Sequence, residues 1–155
     1  MPRTTTRARP TGYPGYSETL PREPESAATA RRLVRVALSV WGLDDLAGDG
    51  AVIVSELVSN AVQHARRPCI RVAIDHPGAA RVRIGVIDFS KVPPSLQEPG
   101  ADEESGRGLA LVAQLAEDWG TDVLPCGKRV WALLCARDDG EHRRAREAAP
   151  VRILA

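Results

Sequence analysis

A chain of 155 residues is long enough to bury a core as a single domain. Its 21 basic residues nearly cancel its 20 acidic ones, which excludes a nucleic-acid binder held mainly by phosphate contacts. No apolar run approaches the roughly 18 residues needed to cross a bilayer, and Arg3, Arg7 and Arg9 are not followed by the apolar stretch of a secretory signal. Cys69, Cys126 and Cys135 are an odd number without metal-type spacing, so free thiols in a reducing, cytoplasmic setting are expected. Two lysines against nineteen arginines are what GC-rich coding produces.

Residues 1–19 lack periodicity and read as a flexible tail, with a short strand near Ser17–Leu20. Pro24, Glu25 and Ser26 open a helix whose apolar positions Ala30, Leu33, Val34, Ala37, Leu38 and Trp41 follow helical spacing; Gly42 can close it in a left-handed cap. Residues 44–47 form a connector, and a second helix runs from about Gly50 to Ala65, ahead of Pro68. Ile70–Ile74 alternates as a strand, with a turn at His76-Pro77-Gly78. Val82–Asp88 is a second strand, nearly all apolar towards its end. Residues 89–105 are long and irregular, rich in proline and carrying Asp102, Glu103 and Glu104 as a solvated acidic cluster. Gly106-Arg107-Gly108 then leads into a helix with Leu109, Leu111, Val112, Leu115 and Ala116 on its buried side. Trp119–Leu124 and Arg129–Ala136 make a hairpin, and residues 137–155 are a charged tail. Strands grouped in hairpins with separate helices give an α+β two-layer sandwich, a mixed, mostly antiparallel sheet with helices on one face, over residues 20–136.

The second helix carries the most telling pattern. Glu56, Asn60 and His64 recur every four residues and share one helical face, while Val54, Leu57, Val58, Ala61 and Ala65 lie on the other. The bland alternative is an amphipathic helix with its polar stripe in water. Asp88 at the end of a buried strand and the Gly106–Gly108 helix entry follow in chain order. Each has a use if the ligand is a nucleotide with a divalent cation. Asn60 offers a neutral oxygen to a hard cation such as Mg²⁺. Glu56 can take a proton from a hydroxyl or orient a water. Asp88 can accept a hydrogen bond from an exocyclic amine, and Gly106 and Gly108 let backbone amides approach phosphates. His64 reads as a supporting or packing residue.

Together these motifs resemble the Bergerat-fold ATPases, the superfamily of histidine-kinase catalytic domains. Within it the chain is most similar to the small anti-sigma-factor serine/threonine kinases and related ATP-binding regulators of actinobacteria. The resemblance rests on Glu56-Leu57-Val58-Ser59-Asn60-Ala61-Val62-Gln63-His64-Ala65, on Gly106-Arg107-Gly108-Leu109-Ala110-Leu111-Val112, and on Gly127-Lys128-Arg129-Val130-Trp131. It implies ATP and Mg²⁺ as ligands, Asn60 as metal ligand, Glu56 as general base and Asp88 as adenine anchor. It also implies Gly106, Arg107, Gly108 and Leu109 at the phosphate lid.

Two departures from the family pattern bear on binding. The middle motif, Asp88-Phe89-Ser90-Lys91-Val92, lacks both glycines of the family's D-x-G-x-G, and Arg129 stands where the family often has Thr. The leading expectation is a cytoplasmic kinase that phosphorylates a Ser or Thr of an anti-sigma antagonist, or sequesters a sigma factor, with homodimerisation possible. It expects neither a nucleic-acid nor a membrane partner. The alternative is a non-catalytic partner-binding module with weakened nucleotide binding.

Overall fold

The computed structural model of the chain describes residues 13–78, 80–89 and 102–136, with residues 102–107 described in backbone only. Five strands form one sheet in the order β1-β2-β3-β5-β4, comprising β1 (Gly15–Pro21), β2 (Cys69–Gly78), β3 (Arg81–Asp88), β4 (Asp118–Leu124) and β5 (Gly127–Cys135). Every pairing is antiparallel, so no parallel component enters the sheet among the described residues. Helices α1 (Ser26–Val40), α2 (Ala47–His64) and α3 (Asp102–Leu115) complete an α+β sandwich of the expected class. No described helix is long and apolar enough to cross a membrane.

The alternation of the strands decides which side chains meet the helices. Val82, Ile84 and Val86 of β3 lie beside Leu134, Ala132 and Val130 of β5, and beside Ile74 and Val72 of β2. All are buried, and they close the core against Leu33, Val34, Ala37 and Leu38 of α1 and Ile53, Val54, Leu57 and Val58 of α2. The other face of the sheet carries Arg71, Arg83, Arg129 and Trp131, with the Arg83 guanidinium 5.0 Å from the centre of the Trp131 ring. Trp131 packs against Gly120, where a Cβ would come within 2.9 Å of its ring.

Helix α1 ends where Gly42 turns left-handed at φ 69°. The Leu43 amide donates to the Leu38 carbonyl (2.8 Å) and the Gly42 amide to Ser39 (3.1 Å), the two bonds of a Schellman cap. A 3₁₀ turn at Asp44–Leu46 leads into α2, which begins three residues before the position read from sequence. Gly48 and Gly50 hid that start, since each costs a helix interior roughly 1 kcal/mol against alanine. Packing overrides propensity here. A Cβ on Gly50 would stand 3.0 Å from Val34 Cγ1 and 3.5 Å from Ile84 Cδ1, so glycine lets α2 approach both α1 and β3. Burial of Ile53, Val54, Leu57 and Val58, worth about 1.5–3 kcal/mol each, outweighs the loss.

Further boundaries differ from the sequence reading, most at β1, β2 and α3. Strand β1 spans Gly15–Pro21, longer than the segment near Ser17–Leu20, and pairs along its whole length with β2. Strand β2 runs through His76 and Pro77 to Gly78, with an irregular register after Asp75. The proline there removes a ladder donor without ending the strand. Helix α3 begins at Asp102, inside the stretch read as an irregular loop. Asp102, Glu103 and Glu104 make up the start of its first turn. The rest of the expected loop, residues 90–101, and both expected tails apart from residues 13–19 lie outside the described residues.

Candidate functional site

Helix α2 delivers the polar stripe to the edge of the helix layer. Glu56, Asn60 and His64 are each half-buried, while the core side of the same helix is closed. The carboxy-terminal end of α2 is held from across the fold. The Arg22 guanidinium donates to the Ala65 carbonyl (2.7 Å), and the Arg22 amide donates to Pro68 (2.8 Å). A cation at that position also complements the negative end of the helix. His64 Nε2 is shielded from solvent and has no hydrogen-bond partner among the described residues. A buried ring nitrogen in that condition is a place where a ligand or a water completes the set.

The alternation that buries Val82, Ile84 and Val86 delivers Asp88 to the same, helix-facing side of β3, where it is 2 % exposed. Its cross-strand neighbours are Ile70 on β2 and Lys128 on β5. Gly127 opens β5 directly over this point. A Cβ there would collide with the Asp88 carbonyl oxygen and stand 2.9 Å from Phe89 Cα. The glycine of the closing motif is therefore a steric condition for where Asp88 sits, a role that reading the strands singly missed.

Helix α3 packs on α2 at Gly108. A Cβ on Gly108 would lie 2.7 Å from Glu56 Oε2, closer than real Cβ contacts come. The first and the late motif thus meet at one contact, a carboxylate against a glycine backbone. Leu109, placed at the lid from the resemblance, is half-buried and packs against the hydrophobic core, so it anchors α3. The expectation that Gly106-Arg107-Gly108 opens the helix is corrected: these residues lie inside α3, about one turn from its start. The side chain of Arg107 and residues 90–92 of the middle motif lie outside what is described.

Arg129 does not crowd the site. It is paired with Ile87 and lies on the sheet face opposite Asp88, with its guanidinium bonded to the Asp122 carboxylate. That hydrogen bond holds the Asp122 carboxyl below its ordinary range, against the opposing effect of partial burial.

A model of the histidine kinase-like ATPase domain matches residues 20–133. The chain belongs to the histidine kinase-like ATPase family. No curated protein matches it. Family membership implies ATP binding, and the residues of this ATPase domain suit that ligand chemically. They are oxygen donors: two carboxylates, Glu56 and Asp88, and one carboxamide, Asn60. Among the described residues no group of three or more His, Cys, Asp or Glu could hold a metal ion. A divalent cation on Asn60 would complete its shell with phosphate oxygens and waters, as Mg²⁺ commonly does.

Sequence reading passed over one further feature of this domain. Arg31 and Arg35 of α1 line an open trough of about 360 Å³ with Gly48, Ala51, Val52, Ser55 and Glu56 of α2. The Arg31 guanidinium donates to Ser55 Oγ (3.0 Å), which in turn donates to the Ala51 carbonyl (2.9 Å). The signal in the sequence was an Arg at i and i+4 beside buried positions of α1.

Proposed function

We propose that this chain is an ATP-dependent serine/threonine kinase of the anti-sigma-factor type, working in the cytoplasm as a regulator of transcription through protein partners. The contact of Gly108 with Glu56 carries this reading, because it joins the first and late motifs in one place. Asp88 would accept a hydrogen bond from the adenine amine. Asn60 Oδ1 would contribute one oxygen to the cation, and the α3 backbone near Gly108 would border the phosphates. Bound Mg-ATP would supply an activated phosphoryl group and the charge neutralisation its transfer needs.

The chain's own residues do the rest. The Glu56 carboxylate takes the proton of the acceptor hydroxyl as its oxygen bonds to the terminal phosphorus and ADP leaves with the electrons of the broken P–O bond. Holding donor and acceptor in line supplies most of the remaining rate. The acceptor would be a Ser or Thr of an antagonist protein, a sigma factor would be the sequestered partner, and two copies of the chain would pair. Neither nucleic acid nor membrane enters this reading.

One observation favours the alternative of a non-catalytic partner-binding module. Gly106 and Gly108 lie within α3, where the amides of a helix are committed to its own carbonyls beyond the first turn. Titration of Mg-ATP, followed by calorimetry and by melting temperature, separates the two. The kinase reading expects micromolar, Mg²⁺-dependent binding that disappears in Asn60→Ala, with Glu56→Gln retaining binding and losing transfer. No binding up to millimolar Mg-ATP would leave the interaction module.

A further inference from the structure

We infer that the trough across α1 and α2 is the docking site for the acceptor segment, and that this segment is acidic: a Ser or Thr flanked by carboxylates. The inference rests on the kinase reading for the role of Glu56, and on separate observations for the charge.

The trough has a cationic wall and reaches Glu56. Arg31 and Arg35 stand one helical turn apart on α1, and like charges at that spacing repel. Neither forms an ion pair among the described residues, and the partner of Arg31, the Ser55 hydroxyl, is neutral. Two guanidiniums with no ion pair among the described residues, facing one depression, offer matched donors for carboxylates. The floor is shallow and small. Gly48 has nothing within 4 Å of where a Cβ would be, and Val52 is 40 % exposed, so an extended segment meets no steric barrier and finds an apolar contact. About 360 Å³, at the lower end of small-molecule sites and open to solvent, suits a few peptide side chains.

Glu56 lines this trough and also touches the lid helix at Gly108. It is the point where an acceptor arriving over α1 and α2 meets the site between α2, α3 and β3. A hydroxyl laid at the Glu56 end of the trough, with carboxylates one or two residues away over Arg31 and Arg35, satisfies both ends at once. The same arrangement disfavours a basic acceptor segment by repulsion, which is specificity by charge.

The test uses the full chain and a fluorescein-labelled peptide with a serine flanked on both sides by Asp and Glu, beside the same peptide with Asn and Gln. Anisotropy is read with and without Mg-ATP, and Mg-ATP binding is titrated in parallel. The acidic peptide should bind about tenfold tighter than its amide counterpart, weaken as salt rises, and lose about tenfold in Arg35→Glu. Arg35 is exposed, and Mg-ATP affinity and melting temperature should be unchanged in that variant. Equal binding of the two peptides, or an acidic peptide indifferent to Arg35→Glu, overturns the docking site even if Mg-ATP binds. Charge-dependent peptide binding without any Mg-ATP binding upholds the docking surface and removes the kinase reading instead.

Discussion

Gly108 occupies a position where one methyl group sets two effects against each other. Alanine there would favour the interior of α3 by about 1 kcal/mol. The new Cβ would also meet Glu56 Oε2 at 2.7 Å and push the carboxylate aside. The displaced atom is the free end of a flexible side chain, so the fold should tolerate the change. For Gly108→Ala we expect a melting temperature within a few degrees of the parent and a phosphotransfer rate at least about tenfold lower, because proton acceptance depends on placement. Gly127→Ala is the opposite case. Its Cβ would strike backbone at Asp88 and Phe89, which cannot swing away. That variant should lose about 2 kcal/mol or more of stability together with Mg-ATP binding, read from the same thermal titration. Glu56, Asn60 and Asp88 were legible as residues because spacing and strand alternation fix the face each occupies. The trough arginines and the Gly127 contact were not, since both depend on elements distant in sequence.

Helix α1 was the most legible element, down to its closing glycine, because local chemistry determines a left-handed cap. Gly42→Ala tests this cleanly. Nothing lies within 4 Å of the added Cβ, so the only cost is that of the left-handed backbone, about 1 kcal/mol. A fall of about 3–6 °C in melting temperature with unchanged Mg-ATP affinity is the expected result. Elements whose limits depend on partners were read less well. The start of α3 is not legible locally because an acidic run that follows a proline-rich stretch looks irregular in isolation. The full length of β1 is not legible locally because Gly15, Tyr16 and Pro21 owe their strand geometry to pairing with Asp75, Ile74 and Cys69 of β2, distant in sequence. The departure at Arg129 looked threatening in a linear motif. Strand parity sends it to the far face, beside Asp122, and removes the conflict.

The whole molecule carries a pH dependence that originates at its edge strand. Glu18 is 5 % exposed on β1, and burial raises its carboxyl above the ordinary glutamate value while Arg32 pulls it part of the way back. A proton held more tightly by the folded chain stabilises it below the ordinary value, and that advantage is lost as pH rises through the folded one. Glu18→Gln should therefore be more stable than the parent at neutral pH and equal to it below about pH 4, as measured by urea unfolding across that range. Asp122 contributes with the other sign: its stabilisation is present above the ordinary aspartate value and disappears as pH falls through the lowered one. The architecture itself was readable from the order of helices and hairpins, since the short turns between β2 and β3 and between β4 and β5 make those pairs antiparallel hairpins and the helices fall between the remaining strands.

The position of β1 also governs how this protein can be cut. The family match begins at residue 20, near the end of the strand. A recombinant fragment started there would discard most of β1 and leave the outer edge of β2, from Cys69 to Asp75, with its amides and carbonyls unpaired. Such an edge templates strand addition by another chain. The shortened protein should self-associate on concentration, while one begun before Gly15 should remain monodisperse under the same conditions.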